Sequence, residues 1–254
     1  MTDQPFYRLS TIDYQPLVGA HRGASARAPE NTLAAFHAAL EDGAELIELD
    51  VRLTRDGQLA VIHDGDTRRV TGSPGVVAEM AMDDLRRLDA GRHKGAAWAG
   101  ERIPELGDVF HLVRGRASVN VEVKGEAATV AVLARRVLEY DMIESVIVSS
   151  FDRETVRVAS SLASRPRTGL LRDEALSDPV DAIRATCAVG ASLLHLKYPF
   201  VTADVVAALH DAGLGLVAWT VNEPREMRRL AALGVDAILS DDPRLLRETL
   251  IPNE

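Results

Sequence analysis

Two carboxylates, Glu48 and Asp50, stand two residues apart inside the apolar run Leu46–Leu53. A β-strand sends alternate side chains to opposite faces, so these two share one face while Ile47, Leu49 and Val51 take the other. The segment Ser118–Lys124 repeats the pattern, with Ser118, Asn120, Glu122 and Lys124 opposite Val119, Val121 and Val123. The apolar faces must pack under helices, which turns the carboxylates toward a polar mouth. Three ionised carboxylates in a partly desolvated site repel one another. A divalent cation relieves that repulsion, and the all-oxygen set Glu48, Asp50 and Glu122 selects a hard ion, Mg²⁺ or Ca²⁺, over zinc. Pairing with Arg22 or Arg52 is the competing arrangement for a lone carboxylate.

Two histidines close apolar runs next to such positions. His21 is followed by Arg22 and Gly23, and His63 by Asp64. Imidazole titrates near neutrality, so the pair can supply one general acid and one general base. His37, His93, His111, His195 and His210 read instead as hydrogen-bonded core or rim residues. Arg22 offers a planar fork suited to a phosphate oxygen, and Lys124 adds a point charge two residues beyond Glu122. Of 29 basic residues only Lys94, Lys124 and Lys197 are lysine, which singles out the one at an inward strand end. Lys124 either contacts phosphate or neutralises Glu122. Trp219 either walls a ligand pocket or fills a core.

The elements that must hold these residues alternate along the whole chain. Strand candidates are Leu17–His21, Leu46–Leu53, Ser118–Lys124 and Val146–Ser150, then Thr168–Leu171, Ser192–Leu196, Gly215–Thr220 and Ala237–Ser240. Between them lie helical patterns at Asn31–Leu40, Pro104–Leu112, Ala127–Tyr140 and Arg153–Ala163. Further ones follow at Val180–Ala188, Ala203–His210, Pro224–Leu233 and Pro243–Leu250. Asn31 or Thr32 is the expected N-cap of the first helix. Such a series closes most simply into a (β/α)8 TIM barrel, with catalytic residues at the C-terminal strand ends. An open doubly wound sheet is the rival, weakened by the lack of a Gly-rich phosphate loop after the first strand.

One interruption stands out. Asp56-Gly57 predicts a tight hairpin, so Gln58–His63 is read as an antiparallel arm folded back over the barrel mouth. Residues 65–103 then form a small insertion over the active-site face, with one helix near Met82–Leu88. The chain reads as a single domain over residues 1–254.

Composition narrows the partners. With 29 basic and 38 acidic residues among 254, the net charge is −9, unsuited to tracking a nucleic-acid backbone. A lone cysteine, Cys187, excludes an internal disulfide framework and a multi-cysteine zinc site. No apolar run reaches the roughly 18 residues of a membrane span, so integral membrane association is not expected. Residues 1–15 lack the pattern of a secretory signal, and a cytoplasmic location is expected.

Taken in order, His21-Arg22-Gly23, Pro29-Glu30-Asn31-Thr32, Ile47-Glu48-Leu49-Asp50-Val51, Asp56-Gly57 and His63-Asp64 resemble the glycerophosphodiester phosphodiesterase family. Glu122-Val123-Lys124, Trp219-Thr220-Val221-Asn222 and the stretch Gly234–Pro243 extend the resemblance over nearly the whole chain. It implies a TIM barrel, a divalent metal on Glu48, Asp50 and Glu122, and His21 and His63 as acid and base. Arg22 and Lys124 would contact phosphate. The implied reaction is metal-dependent hydrolysis of a small glycerophosphodiester to glycerol 3-phosphate and an alcohol. A related barrel phospholipase acting on lysophospholipids or phosphoinositides is the alternative. It would need an apolar rim, for which the insertion offers only Val76, Val77, Met80, Met82 and Trp98.

Overall fold

The computed structural model describes residues 15–251. The expectation about a leader segment therefore falls almost entirely outside the described residues. In chain order the elements are β1 (Leu17–His21), α1 (Leu33–Glu41), β2 (Leu46–Leu53), β3 (Leu59–Val61), α2 (Arg68–Thr71) and α3 (Met82–Leu85). Then come α4 (Leu106–Val113), β4 (Ser118–Val123), α5 (Ala128–Glu139), β5 (Val146–Ser150), α6 (Arg153–Ser160) and β6 (Arg167–Arg172). The series ends with α7 (Pro179–Ala188), β7 (Leu193–Lys197), α8 (Ala203–Asp211), β8 (Gly215–Trp219), α9 (Pro224–Leu233), β9 (Ala237–Ser240) and α10 (Pro243–Leu250).

Closure of the sheet rests on β1. It pairs in parallel with β2, aligning His21 with Glu48, and with β9 on its other side, aligning Gly19 with Leu239. The parallel ring β1-β2-β4-β5-β6-β7-β8-β9 therefore has no open edge, which disposes of the open-sheet alternative. This is a (β/α)8 TIM barrel. Close approach at the seam requires a residue without a side chain, since a Cβ on Gly19 would meet the Ile238 carbonyl oxygen at 2.8 Å.

Two apolar layers result from the period-2 strand pattern. Outward residues such as Ile47, Leu49, Val119 and Val121 pack with Phe36, Phe110 and Leu133 on the helices, as Leu194, Leu216 and Ile238 do with Val206, Leu209 and Leu230. Inside the barrel, Leu46, Ile147, Leu193, Val217, Ala237 and Leu239 form an apolar plug. The polar inward residues are left for the C-terminal half.

The expected arm is present. Gly57, at φ 73°, turns the chain, and β3 runs antiparallel to β2 with Val51 opposite Val61. Its strand is fully buried under the insertion, where Ala60 and Ile62 pack with Val70, Val77, Met82, Leu85, Ala90 and Ile103. The insertion carries two short α-helices and three single 3₁₀ turns (Val77–Glu79, Arg92–Lys94 and Ala96–Trp98) instead of the single helix expected near Met82–Leu88. α3 stops at Leu85, and α2 precedes it with Gly72, at φ 75°, as its C-cap. Among the described residues no helix is long and apolar enough to cross a membrane.

At the opposite end of the barrel, His210 in the last turn of α8 places Nε2 3.1 Å from Asp236 Oδ2. That hydrogen bond raises the imidazole pKa, against partial burial. A raised folded-state pKa stabilises the fold fully below the unfolded histidine value of about 6.5, and the gain is lost as pH rises through the folded value. His210→Ala should therefore lower the melting temperature more at about pH 6 than at about pH 9, which thermal melts at both conditions would show.

Candidate active site

The strand registers bring the three carboxylates together. Glu48 lies beside His21 on β1, and Asp50 lies beside Glu122 on β4. Glu48, Asp50 and Glu122 are 2%, 0% and 6% exposed, and each offers an oxygen within 4.8 Å of the others. Burial and the Asp50 charge push Glu48 up to about 8 and raise Glu122 above the usual carboxylate range. Asp50 Oδ1 and Glu122 Oε1 are buried, with the Lys124 ammonium as charged partner at 3.3 and 2.5 Å. A buried cluster of three carboxylates offset there by a single ammonium fits a hard divalent cation.

Both histidines are braced through Nδ1. His21 Nδ1 lies 2.7 Å from Asp241 Oδ1, and His63 Nδ1 lies 2.7 Å from Asp64 Oδ1. A carboxylate on Nδ1 fixes the ring and leaves Nε2 for chemistry. The two rings differ in environment. Burial opposes protonation of His21, but the Asp241 hydrogen bond and the Glu48 charge outweigh it, and its pKa is raised. At His63 burial prevails over Asp50 and Asp64, and the pKa is lowered. The braces are themselves anchored. Asp241 accepts from Ser25 Oγ at 3.0 Å and Asn222 Nδ2 at 2.7 Å, and Asp64 accepts from Arg69 Nε at 2.5 Å.

The β1–α1 loop completes the constellation through two residues in the left-handed backbone region, Arg22 at φ 56° and Asn31 at φ 57°. Non-glycine residues hold that conformation only where their surroundings fix it. Here the Arg22 N–H donates to Glu48 Oε2 at 2.9 Å, and its guanidinium reaches Asp50 Oδ2 at 3.2 Å and Glu30 Oε1 at 3.0 Å. Asn31 Nδ2 donates to Asp50 Oδ2 at 2.8 Å, and its Oδ1 accepts the Asp50 N–H at 3.2 Å. Of the two candidate caps for α1, Thr32 is the one used. Arg52 is not a carboxylate partner. It donates to the backbone oxygens of His63 and Lys124, at 2.8 and 2.7 Å, and so ties the hairpin arm and β4 to β2.

His21, Arg22, Glu48, Asp50, His63, Glu122 and Lys124 thus converge at one end of the barrel. Trp219 ends β8 and meets Phe151 edge to face at 5.6 Å, while Lys124 Nζ lies 5.7 Å from the Phe151 ring centre. The indole joins the same mouth.

A family model described as the glycerophosphoryl diester phosphodiesterase family matches residues 21–245 of this chain. The chain belongs to that family. A glycerophosphodiester phosphodiesterase of Caldanaerobacter subterraneus subsp. tengcongensis is 39% identical over 236 residues, covering 91% of this chain and 96% of that protein. Among solved structures, an Oleispira antarctica phosphodiesterase in complex with the product sn-glycerol-3-phosphate superposes with a TM-score of 0.85. It is 28% identical over 93% of this chain and 97% of its own. A glycerophosphodiester phosphodiesterase of Agrobacterium tumefaciens gives 0.81 at 31% identity, over 91% and 98% of the two chains.

Several members of this family site escape a reading by residue type. Asn31 has the composition of a helix cap and instead grips Asp50. Asp64 and Asp241 are ordinary acidic residues until the fold sets them on the histidines. Both lie in stretches that carry the family resemblance, but their contact with a histidine is direct in sequence only for Asp64 after His63, and for Asp241 it follows only once β9 lies beside β1. Because Glu48 is held up to about 8, cation binding at neutral pH must displace a proton. Calorimetry with Mg²⁺ or Ca²⁺ should give heats that vary with buffer ionisation enthalpy and an affinity that rises from about pH 6 to about pH 9. A pH-independent affinity would contradict a raised Glu48 pKa.

Proposed function

We infer that the chain hydrolyses small glycerophosphodiesters to glycerol 3-phosphate and an alcohol, with Glu48, Asp50 and Glu122 holding Mg²⁺ or Ca²⁺ and His21 and His63 moving the protons. The observation that carries the reading is the pairing of a buried carboxylate triad with two histidines, each braced on Nδ1 by an aspartate. The bound cation would supply Lewis-acid stabilisation of charge on the phosphoryl oxygens. Arg22, placed by its contacts with Glu30 and Asp50, and Lys124, placed between Asp50 and Glu122, add fixed positive charge beside the same position. One imidazole takes a proton from the attacking hydroxyl through Nε2, and the other delivers one to the departing alkoxide. Trp219 and Phe151 would wall the side of the pocket away from the carboxylates.

In this reading residues 65–103 cover the active-site face and the chain works as one barrel unit. The acidic balance and single cysteine of the chain support a small-molecule substrate and a cytoplasmic setting. A phospholipase would need an apolar rim, and of the five candidates only Val76, 46% exposed, and the half-buried Trp98 stay outside the core of the insertion. Val77 and Met82 are 1% and 4% exposed inside the core of the insertion, against which Met80 also packs.

Glycerophosphocholine incubated with the protein and Mg²⁺ or Ca²⁺ should yield glycerol 3-phosphate, measured by a coupled dehydrogenase assay. No cation-dependent release across several head groups would defeat the reading. His63→Ala should lower kcat by about 10²–10⁴-fold while metal affinity holds. Asp241→Asn, which leaves the ring in place without its charged brace, should lower kcat at least about tenfold with KM little changed.

A further inference from the structure

Beside the carboxylates the barrel strands carry three buried polar residues that the proposed reaction does not use. Asn120, Ser149 and His195 are 1%, 0% and 0% exposed. Among the described residues, five of their polar atoms have no hydrogen-bond partner: Asn120 Nδ2 and Oδ1, Ser149 Oγ, and His195 Nδ1 and Nε2. His195 is a core residue, as expected, and no described protein group bonds its ring. Buried polar groups are almost always paired, so a cluster of five unpaired atoms calls for a ligand.

Their placement is specific. Asn120 is the register neighbour of Glu48, and Ser149 is the neighbour of Glu122. Ser149 in turn lies beside Gly169, whose missing side chain makes room for the imidazole, since a Cβ there would sit 2.4 Å from His195 Nε2. The apolar plug of Leu46, Ile147, Leu193 and Val217 lies within the same barrel.

We propose that Asn120, Ser149 and His195 bind ordered water beside the carboxylates and through it orient Glu48 and Glu122 toward the metal. The chemistry of the cluster selects the ligand. A neutral imidazole offers one donor and one acceptor, the amide offers both kinds, and so does the hydroxyl. Burial keeps His195 neutral, with its pKa lowered to about 3. An anion would be repelled by Glu48 and Glu122, and the cluster has no charged group of its own for a cation. Water, which both donates and accepts, suits each of the five atoms, and more than one molecule is needed to meet them all. The three are positioning residues, acting on the metal only through its ligands, so the inference rests on the metal reading above.

Two measurements on the full chain decide it. A high-resolution crystal structure should show at least one water hydrogen-bonded to two or more of Asn120, Ser149 and His195. Direct bonding of the three side chains to one another, or a dry cluster, would overturn the proposal whether or not metal binds. Titration with Mn²⁺ should show about tenfold weaker binding for His195→Leu and for the smaller change Ser149→Ala, as removal of outer hydrogen-bonding partners does elsewhere. His195→Gln, which keeps a donor and an acceptor, should retain most of the affinity. Melting temperatures that fall while Mn²⁺ affinity stays at the wild-type value would mean a packing role only and would overturn the positioning claim. Failure of the wild type to bind Mn²⁺ would overturn it through the metal reading, leaving the crystallographic test of the water site to stand separately.

Discussion

Mutual repulsion among three buried carboxylates is the constraint around which this barrel is organised. Glu48, Asp50 and Glu122 lie on adjacent parallel strands with oxygens within 4.8 Å, and none is more than 6% exposed. Left uncompensated, such a cluster would be costly enough to push its members toward the protonated form. The compensation within the chain is partial: Arg22 and Lys124 reach Asp50 and Glu122, Asn31 and the Arg22 N–H donate to the cluster, and Glu48 is still held near 8. A preorganised excess of negative charge in a buried site is what a hard cation relieves.

The same constraint explains features that otherwise look unrelated. Arg22 and Asn31 adopt left-handed backbone conformations because their hydrogen bonds to Glu48 and Asp50 hold the β1–α1 loop there. Arg52, although only two residues after Asp50 in sequence, points its guanidinium at two carbonyl oxygens and fixes the arm carrying His63 against β4. The insertion contributes Arg69, which bonds both Asp64 and Glu30, so the brace on one histidine and the anchor of Arg22 meet in one side chain. The acidic chain average, −9 overall, says little about this pocket, where Arg22, Lys124 and Arg69 stand among the carboxylates.

Much of this was legible in the sequence because period-2 alternation is a direct consequence of strand geometry. Glu48 with Asp50, and Asn120 with Glu122, announce their shared face within a few residues. His21 and His63 were found by position at strand ends, and Asp-Gly marked the hairpin between β2 and β3. What was hidden depends on contacts between distant segments. Asp241 reaches His21 only through closure of the barrel, 220 residues later in the chain. Asn31 suits a helix cap by type, and nothing local says that Asp50 will claim it. His195 gives no sign in sequence that its ring will lie over Gly169 without a partner. Arg22 and Lys124 were each expected to do one of two things, contact phosphate or neutralise carboxylates. The fold sets them on the carboxylates, beside where a phosphate would lie.

The central claim is that the triad is a cation site at the heart of the barrel mouth. Crystals soaked in Mn²⁺ and measured at the manganese absorption edge test it most directly. The account predicts a single strong anomalous peak within coordination distance of Glu48, Asp50 and Glu122, with Lys124 moved off at least one of the two carboxylates it now bridges. A peak elsewhere, or none with Lys124 still seated between Asp50 and Glu122, would contradict it.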